Sequence, residues 1–150
     1  WRVTGVQTCA LPILSKGAIV IQRFSKKRQA IYDCLSGTTS HPTADWIYHQ
    51  LHADYPDLSL GTVYRNLSQL KDAGLIQSVG VINGQEHFDA NVSPHTHLIC
   101  RSCGTVRDLF EINVSDEIAQ QAADISGYQI TGVSLRLMGL CPSCRKKTIS

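Results

Sequence analysis

Between residues 25 and 74 the apolar positions follow a helical period. Ala30, Ile31, Cys34 and Leu35 form one stripe and predict a helix over 25–36, stopped at Gly37. A second helix follows Pro42 and Thr43, with Ala44, Ile47, Tyr48 and Leu51 facing inward. Pro56 marks 54–58 as a turn, and Ser59 is placed to cap a third helix that Gly74 ends. Leu60, Val63, Leu67 and Leu70 line one side of this helix. Thr62, Arg65, Asn66 and Gln69 are expected on the other. The period then shortens to two. Strands over 75–82 and 86–89 flank Asn83-Gly84, a strong signal for a tight hairpin. Three helices followed by a hairpin give the order of a winged helix-turn-helix, whose third helix enters the major groove of DNA.

The second part of the chain has a different texture. After a short linker containing Ser93 and Pro94, strands are expected over 97–100 and 106–110. Ser115 reads as the cap of a helix with Val114, Ile118, Ala122 and Ile125 on its apolar stripe. A long strand is expected over 128–138, its alternation slipping at Gly132 as at a bulge. The predicted class is α+β: an N-terminal winged unit over 15–89, a hinge over 90–94, and a smaller α/β unit over 95–150. The segment 1–14 contains VTGVQTCALPI, which resembles the translation of a widely used sequencing-adapter oligonucleotide. It is read as a non-native leader, which removes Cys9 from the cysteine count.

Composition adds a compartment more than a function. Hydrophobic residues make up 43% and charged residues 17% of the chain, enough for a core. A net charge of +2 does not argue for nucleic acid by itself. The cations are clustered, however, at Lys26-Lys27-Arg28 and at Arg145-Lys146-Lys147. No apolar run approaches the roughly 20 residues of a membrane span, and no secretory signal is legible. The expected compartment is the cytoplasm, where paired cysteines bind metal more often than they form disulfides.

Cys100-Arg-Ser-Cys103-Gly and Cys141-Pro-Ser-Cys144 are two such pairs. Each knuckle offers two thiolates to one metal, and together they complete the closed tetrahedral sulfur shell of structural zinc. A dithiol redox site needs one such pair beside a βαβ unit. A zinc deaminase needs an H-x-E motif, which this chain lacks. Cys34, on an apolar stripe, reads as core. Just before the first knuckle, His95 and His97 are two apart and would share one face of a strand. With Asp89, Asp108 and His41 they offer a mixed nitrogen and oxygen shell suited to Fe²⁺, Mn²⁺ or Zn²⁺. Taken alone, the same residues also fit surface histidines near a turn.

The combination resembles the ferric uptake regulator family, and within it the peroxide-sensing repressors. The likeness runs over about 23–147. It rests on Ser25-Lys-Lys-Arg-Gln-Ala-Ile, His41-Pro-Thr-Ala-Asp-Trp-Ile-Tyr, Ser59-Leu-Gly-Thr-Val-Tyr-Arg-Asn-Leu, His87-Phe-Asp-Ala-Asn, His95-x-His-Leu-Ile-Cys-x-x-Cys-Gly and the closing Cys-x-x-Cys. It implies a homodimeric repressor, not an enzyme, that binds an inverted-repeat operator in double-stranded DNA. A structural Zn²⁺ would sit at Cys100, Cys103, Cys141 and Cys144. A regulatory Fe²⁺ or Mn²⁺ would be held by His41, Asp89, His95, His97 and Asp108.

Peroxide-sensing members typically carry aspartates where Asp89 and Asp108 stand, and iron-sensing members glutamates. In the former, peroxide oxidises a ligand histidine, here His41 or His95 by position, and metal and DNA are released. The alternative within the family is a sensor of iron or manganese level. The third metal site of some members is not expected, with Pro94, Thr96 and Gly132 at its positions. His87 stays unassigned. Thr62, Tyr64, Arg65 and Asn66 are the expected groove contacts, and Lys26, Lys27 and Arg28 the expected phosphate contacts.

Overall fold

The structure, a computed structural model, describes residues 25–112 and 114–148. The leader over 1–14 lies outside the described residues, as do the first ten residues of the expected winged unit. The class is α+β, as the periodicity predicts.

Helices α1 (Lys26–Ser36), α2 (Ala44–Leu51) and α3 (Leu60–Asp72) begin where short hydroxylated residues satisfy their free amides. Ser25, Thr43 and Ser59 each accept a hydrogen bond from an amide of the first turn. Their apolar stripes meet in one core, with Ile31, Leu35, Ile47, Val63, Leu67 and Leu70 all buried. The hairpin β1 (Gln77–Ile82) and β2 (Gln85–Asp89) adds Phe88 to that core. Its turn has positive φ at both Asn83 (52°) and Gly84 (84°), as the primed turn of a two-residue hairpin requires.

The second sheet has the order β4–β3–β5, formed by β3 (Thr96–Cys100), β4 (Val106–Leu109) and β5 (Arg136–Gly139). β4 is antiparallel to β3 and β5 is parallel to it. Helix α4 (Ser115–Ser126) makes the crossover and ends at Gly127 with φ 71°, a left-handed cap. Helix α5 (Pro142–Thr148) follows β5.

Three expectations for these elements are corrected. The strand expected over 128–138 shrinks to Arg136–Gly139, because alternation makes a strand only where a neighbour completes the ladder. β3 pairs with this segment only from Arg136 onward. Ser115 is the first residue of α4 and not its cap. Val114 occupies the cap position and makes no side-chain hydrogen bond there. Among the described residues the apolar stripe of α4 is left largely uncovered, with none of its side chains fully buried: Ile125 is 87% exposed and Ile118 38%.

The hairpin and the second sheet share a small core of Val79, Ile82, Ile99 and Val106. Two close approaches flank it. Arg136 Nη1 donates to the Val79 carbonyl at 3.2 Å, and Gly104, at φ 75°, lies against the hairpin turn. A β-carbon on Gly104 would stand 2.7 Å from Asn83 Nδ2. Gly104→Ala is therefore expected to cost about 1–3 kcal/mol through left-handed strain alone. A thermal melt reads this as a lowered midpoint, and an unchanged midpoint would contradict it.

Candidate metal centres

Strand β3 carries residues of both metal clusters, His97 near its start and Cys100 at its end. At the cysteine end, the turn after β3 is closed by the Gly104 amide donating to the Cys100 carbonyl at 2.8 Å. Arg101 N–H bonds the Gly139 carbonyl at 2.8 Å, which brings the exit of β5 and Cys141 alongside. The four sulfurs of Cys100, Cys103, Cys141 and Cys144 lie within 4.8 Å of one another, and Cys103 and Cys141 are 3.9 Å apart. Sulfurs at the vertices of a zinc tetrahedron stand about 3.8 Å apart, from a bond of about 2.3 Å. Backbone amides prepare the charge. The Cys141 N–H reaches Cys100 Sγ at 3.3 Å, and it heads the hydrogen bonds that pull the Cys100 thiol down to about 6. Ser102 favours the Cys144 thiolate, but the neighbouring sulfurs of Cys141 and Cys103 outweigh it and push that thiol up to about 11. Four sulfurs crowded within 4.8 Å of one another are a site completed by a cation.

At the other end, His41, Asp89, His95, His97 and Asp108 offer one ligand atom each within a 4.8 Å cluster. His41 comes from the segment before α2, Asp89 from the end of β2, and Asp108 from β4, directly across from His97 in the ladder. Nε2–Oδ separations run from 2.8 Å (His41–Asp108) and 3.1 Å (His95–Asp89) to 4.0 Å (His41–Asp89). Donors about 2.1 Å from a shared ion stand about 3 Å apart when adjacent and about 4.2 Å when opposite. The five residues therefore fit one divalent ion.

Hydrogen bonding supports the fit. Both ring nitrogens of His41 and Asp108 Oδ1 are buried without a hydrogen-bond partner among the described residues, despite the 2.8 Å approach. Such groups are costly unless a ligand satisfies them. His95 donates Nδ1–H to the Ser93 carbonyl at 2.8 Å, which leaves the lone pair of Nε2 facing the cluster. Burial lowers the pKa of His41 and outweighs the pull of Asp108 and Asp89, so a neutral ligand is favoured. Burial opposes ionisation of Asp89. Hydrogen bonds from His97, the Asn91 amide and Gln77 outweigh it and hold the carboxyl below its usual range.

His41 itself adopts φ 53°, a left-handed backbone that costs a residue with a β-carbon about 1–2 kcal/mol. Sequence periodicity carries no sign of this strain, which turns the imidazole into the cluster. It is the kind of outlier that marks functional sites.

The expected DNA residues are placed unevenly. Arg65 and Lys26 are exposed on the helical unit. Tyr64 is 43% exposed, its hydroxyl 3.3 Å from Asp45 Oδ2, and Thr62 bonds the Ser59 cap at 2.9 Å. Lys27 pairs with Asp57 at 2.6 Å. Asn66 is a correction: it is only 7% exposed, on the buried side of α3 with Val63, Leu67 and Leu70. Positions 63, 66, 67 and 70 form a single helical stripe. Asn66 donates to the Thr62 carbonyl at 2.8 Å and accepts from Arg28 Nε at 3.0 Å, while Arg28 also bonds Gln69.

Residues 21–138 match the sequence profile of the ferric uptake regulator family. The chain belongs to that family. Family members are transcriptional regulators, so it is a regulator and not an enzyme. It is 36% identical over 125 residues to the peroxide operon regulator of Bacillus subtilis, covering 83% of this chain and 86% of that one. It is 35% identical to the peroxide-responsive repressor PerR of Staphylococcus saprophyticus, covering 83% of this chain and 84% of the relative. Among solved structures, the Campylobacter jejuni peroxide stress regulator superposes with a TM-score of 0.68 at 28% identity, over 79% of this chain and 88% of that one.

Proposed function

We propose that this family member is a peroxide-responsive, metal-dependent repressor. Its winged unit (15–89) is tied through a hinge (90–94) to a dimerising unit (95–150). The carrying observation is the meeting of His41 from the helical unit with Asp89, His95, His97 and Asp108. An ion there bonds both units at once, so its binding free energy restrains their relative motion and lowers the ordering cost of DNA binding.

Cys100, Cys103, Cys141 and Cys144 hold structural Zn²⁺ in this reading, with no open position for chemistry. The five mixed donors hold Fe²⁺ or Mn²⁺. Fe²⁺, if bound there, would supply redox chemistry toward peroxide. A ring carbon of His41 or His95, both facing the ion through Nε2, would gain one oxygen atom of H₂O₂, the other leaving as water. Thr62, Tyr64 and Arg65 present α3 to the groove, and Lys26 and Lys27 lie near phosphates. Asn66 acts through Arg28, which it orients. The exposed apolar groups of α4 and β5, among them Ile118, Ile125, Leu137 and Met138, support a homodimer formed through the second unit. Two winged units in a dimer suit an inverted-repeat operator. Among the described residues no helix is long and apolar enough to cross a membrane.

The test compares operator binding of the Fe²⁺ and Mn²⁺ forms with and without peroxide, followed by peptide mass spectrometry. Peroxide is expected to abolish binding of the Fe²⁺ form alone and to add oxygen to His41 or His95. Persistent binding with unmodified histidines leaves the sensor of iron or manganese level.

A further inference from the structure

His87 has no part in the centres described so far. It lies half-buried on β2, two residues before Asp89 and so on the same face of the strand. It is not among the clustered donors. Its Nδ1–H donates instead to the main-chain carbonyl of His41, at 2.6 Å. Around this bond β2 also grips the 41–43 segment through its backbone. The Phe88 amide donates to the Pro42 carbonyl at 3.1 Å, within an isolated antiparallel bridge between Thr43 and His87. The residue whose carbonyl is held is the one in the left-handed conformation, at φ 53°. Without a restraint, His41 would relax toward ordinary backbone angles and carry Nε2 away from Asp108.

We propose that His87 is a positioning residue of the regulatory centre. Its hydrogen bond holds the strained His41 backbone, and so sets how tightly a metal closes the centre. The inference rests on the reading of His41, Asp89, His95, His97 and Asp108 as a metal site. One short strand then does two things: it presents Asp89 and holds His41. His41 is the ligand that precedes α2, so the grip also decides how firmly the helical unit is coupled to the ion.

The experiment uses full-length protein with its zinc in place and measures Mn²⁺ affinity by competition with a fluorescent chelator. Co²⁺ absorption reports the ligand set. His87→Phe keeps the bulk and removes the donor. It is expected to weaken Mn²⁺ binding about 10- to 100-fold, the usual cost of losing a group that orients a ligand, and to alter the Co²⁺ bands without loss of zinc. His87→Asn places an amide N–H where Nδ1 stands and is expected to recover most of the affinity. His87→Gln, whose amide falls near the Nε2 position, is not. If His87→Phe fails to fold, the Asn and Gln variants decide by themselves. Equal affinities for those two, or wild-type affinity in the Phe variant, overturn the positioning role. If instead the wild type takes up no second metal and Asp108→Ala changes nothing, the reading of the site fails and not the role of His87.

Discussion

Cys103→Ser is expected to strip the zinc and unfold the C-terminal sheet with it. The three-stranded sheet is small, and α4 contributes no buried residue to hold it. Structural zinc in small domains supplies apparent binding free energy on the order of 10 kcal/mol, as much as the whole stability of an ordinary domain. The ion joins the ends of two parallel strands, β3 and β5, that are otherwise linked through a long crossover. Metal analysis should find zinc lost from the variant. Far-ultraviolet circular dichroism should lose sheet signal while the helices of the winged unit remain. A zinc-free variant with an unchanged melt would end the claim that the metal holds this unit.

The pH dependence has a definite sign. The Cys100 thiol is held at about 6, below its ordinary value near 9. Its contribution is fully present above the ordinary value and is lost as pH falls through about 6. Because zinc displaces protons from its thiols, retention should weaken in the same direction.

Asp108→Ala should have the second large effect, on regulation rather than on folding. Its carboxylate lies 2.8 Å from His41, 3.4 Å from His95 and 3.6 Å from His97, so it faces every histidine of the cluster. Removing it takes away one donor, the carboxylate nearest to His41 and one of the two that face His95 and His97. Affinity for Mn²⁺ is expected to fall by more than about 100-fold, beyond the usual cost of losing an orienting group. Zinc content and thermal midpoint should stay near wild type, and operator binding should cease to respond to Mn²⁺. Metal-responsive binding at wild-type Mn²⁺ concentrations would remove Asp108 from the centre.

What the sequence disclosed divides along the range of the forces involved. Short-range signals were legible: the cap at Ser59, the Asn83-Gly84 turn, and the inward stripes of the three helices. The cysteine pairs were legible because their spacing is itself the ligand geometry. Elements that depend on a neighbour were misjudged. The stretch 128–134 alternates like a strand but joins no ladder among the described residues, and α4 is amphipathic yet leaves Ile118 and Ile125 exposed. Asn66 was placed on the wrong face because polarity was taken for exposure, while its amide is satisfied internally. His41 was invisible to periodicity and entered only as a donor that could complete the mixed shell. Its place depends on a left-handed backbone and on contacts with a strand more than 40 residues away.

Strand β3 ends by setting an order of maturation. It carries His97 and Cys100 three residues apart, roughly 10 Å along one extended segment. A chain without zinc is expected to hold β3 less firmly, and with it the place where His97 and the adjoining His95 meet Asp108. Zinc is therefore expected to load first, and the regulatory ion to enter a unit already matured. By reciprocal linkage, each metal tightens the hold on the other. A cell short of zinc would then lose this regulator's response even with iron and manganese in plenty, so the scarcer resource governs whether the sensor exists at all.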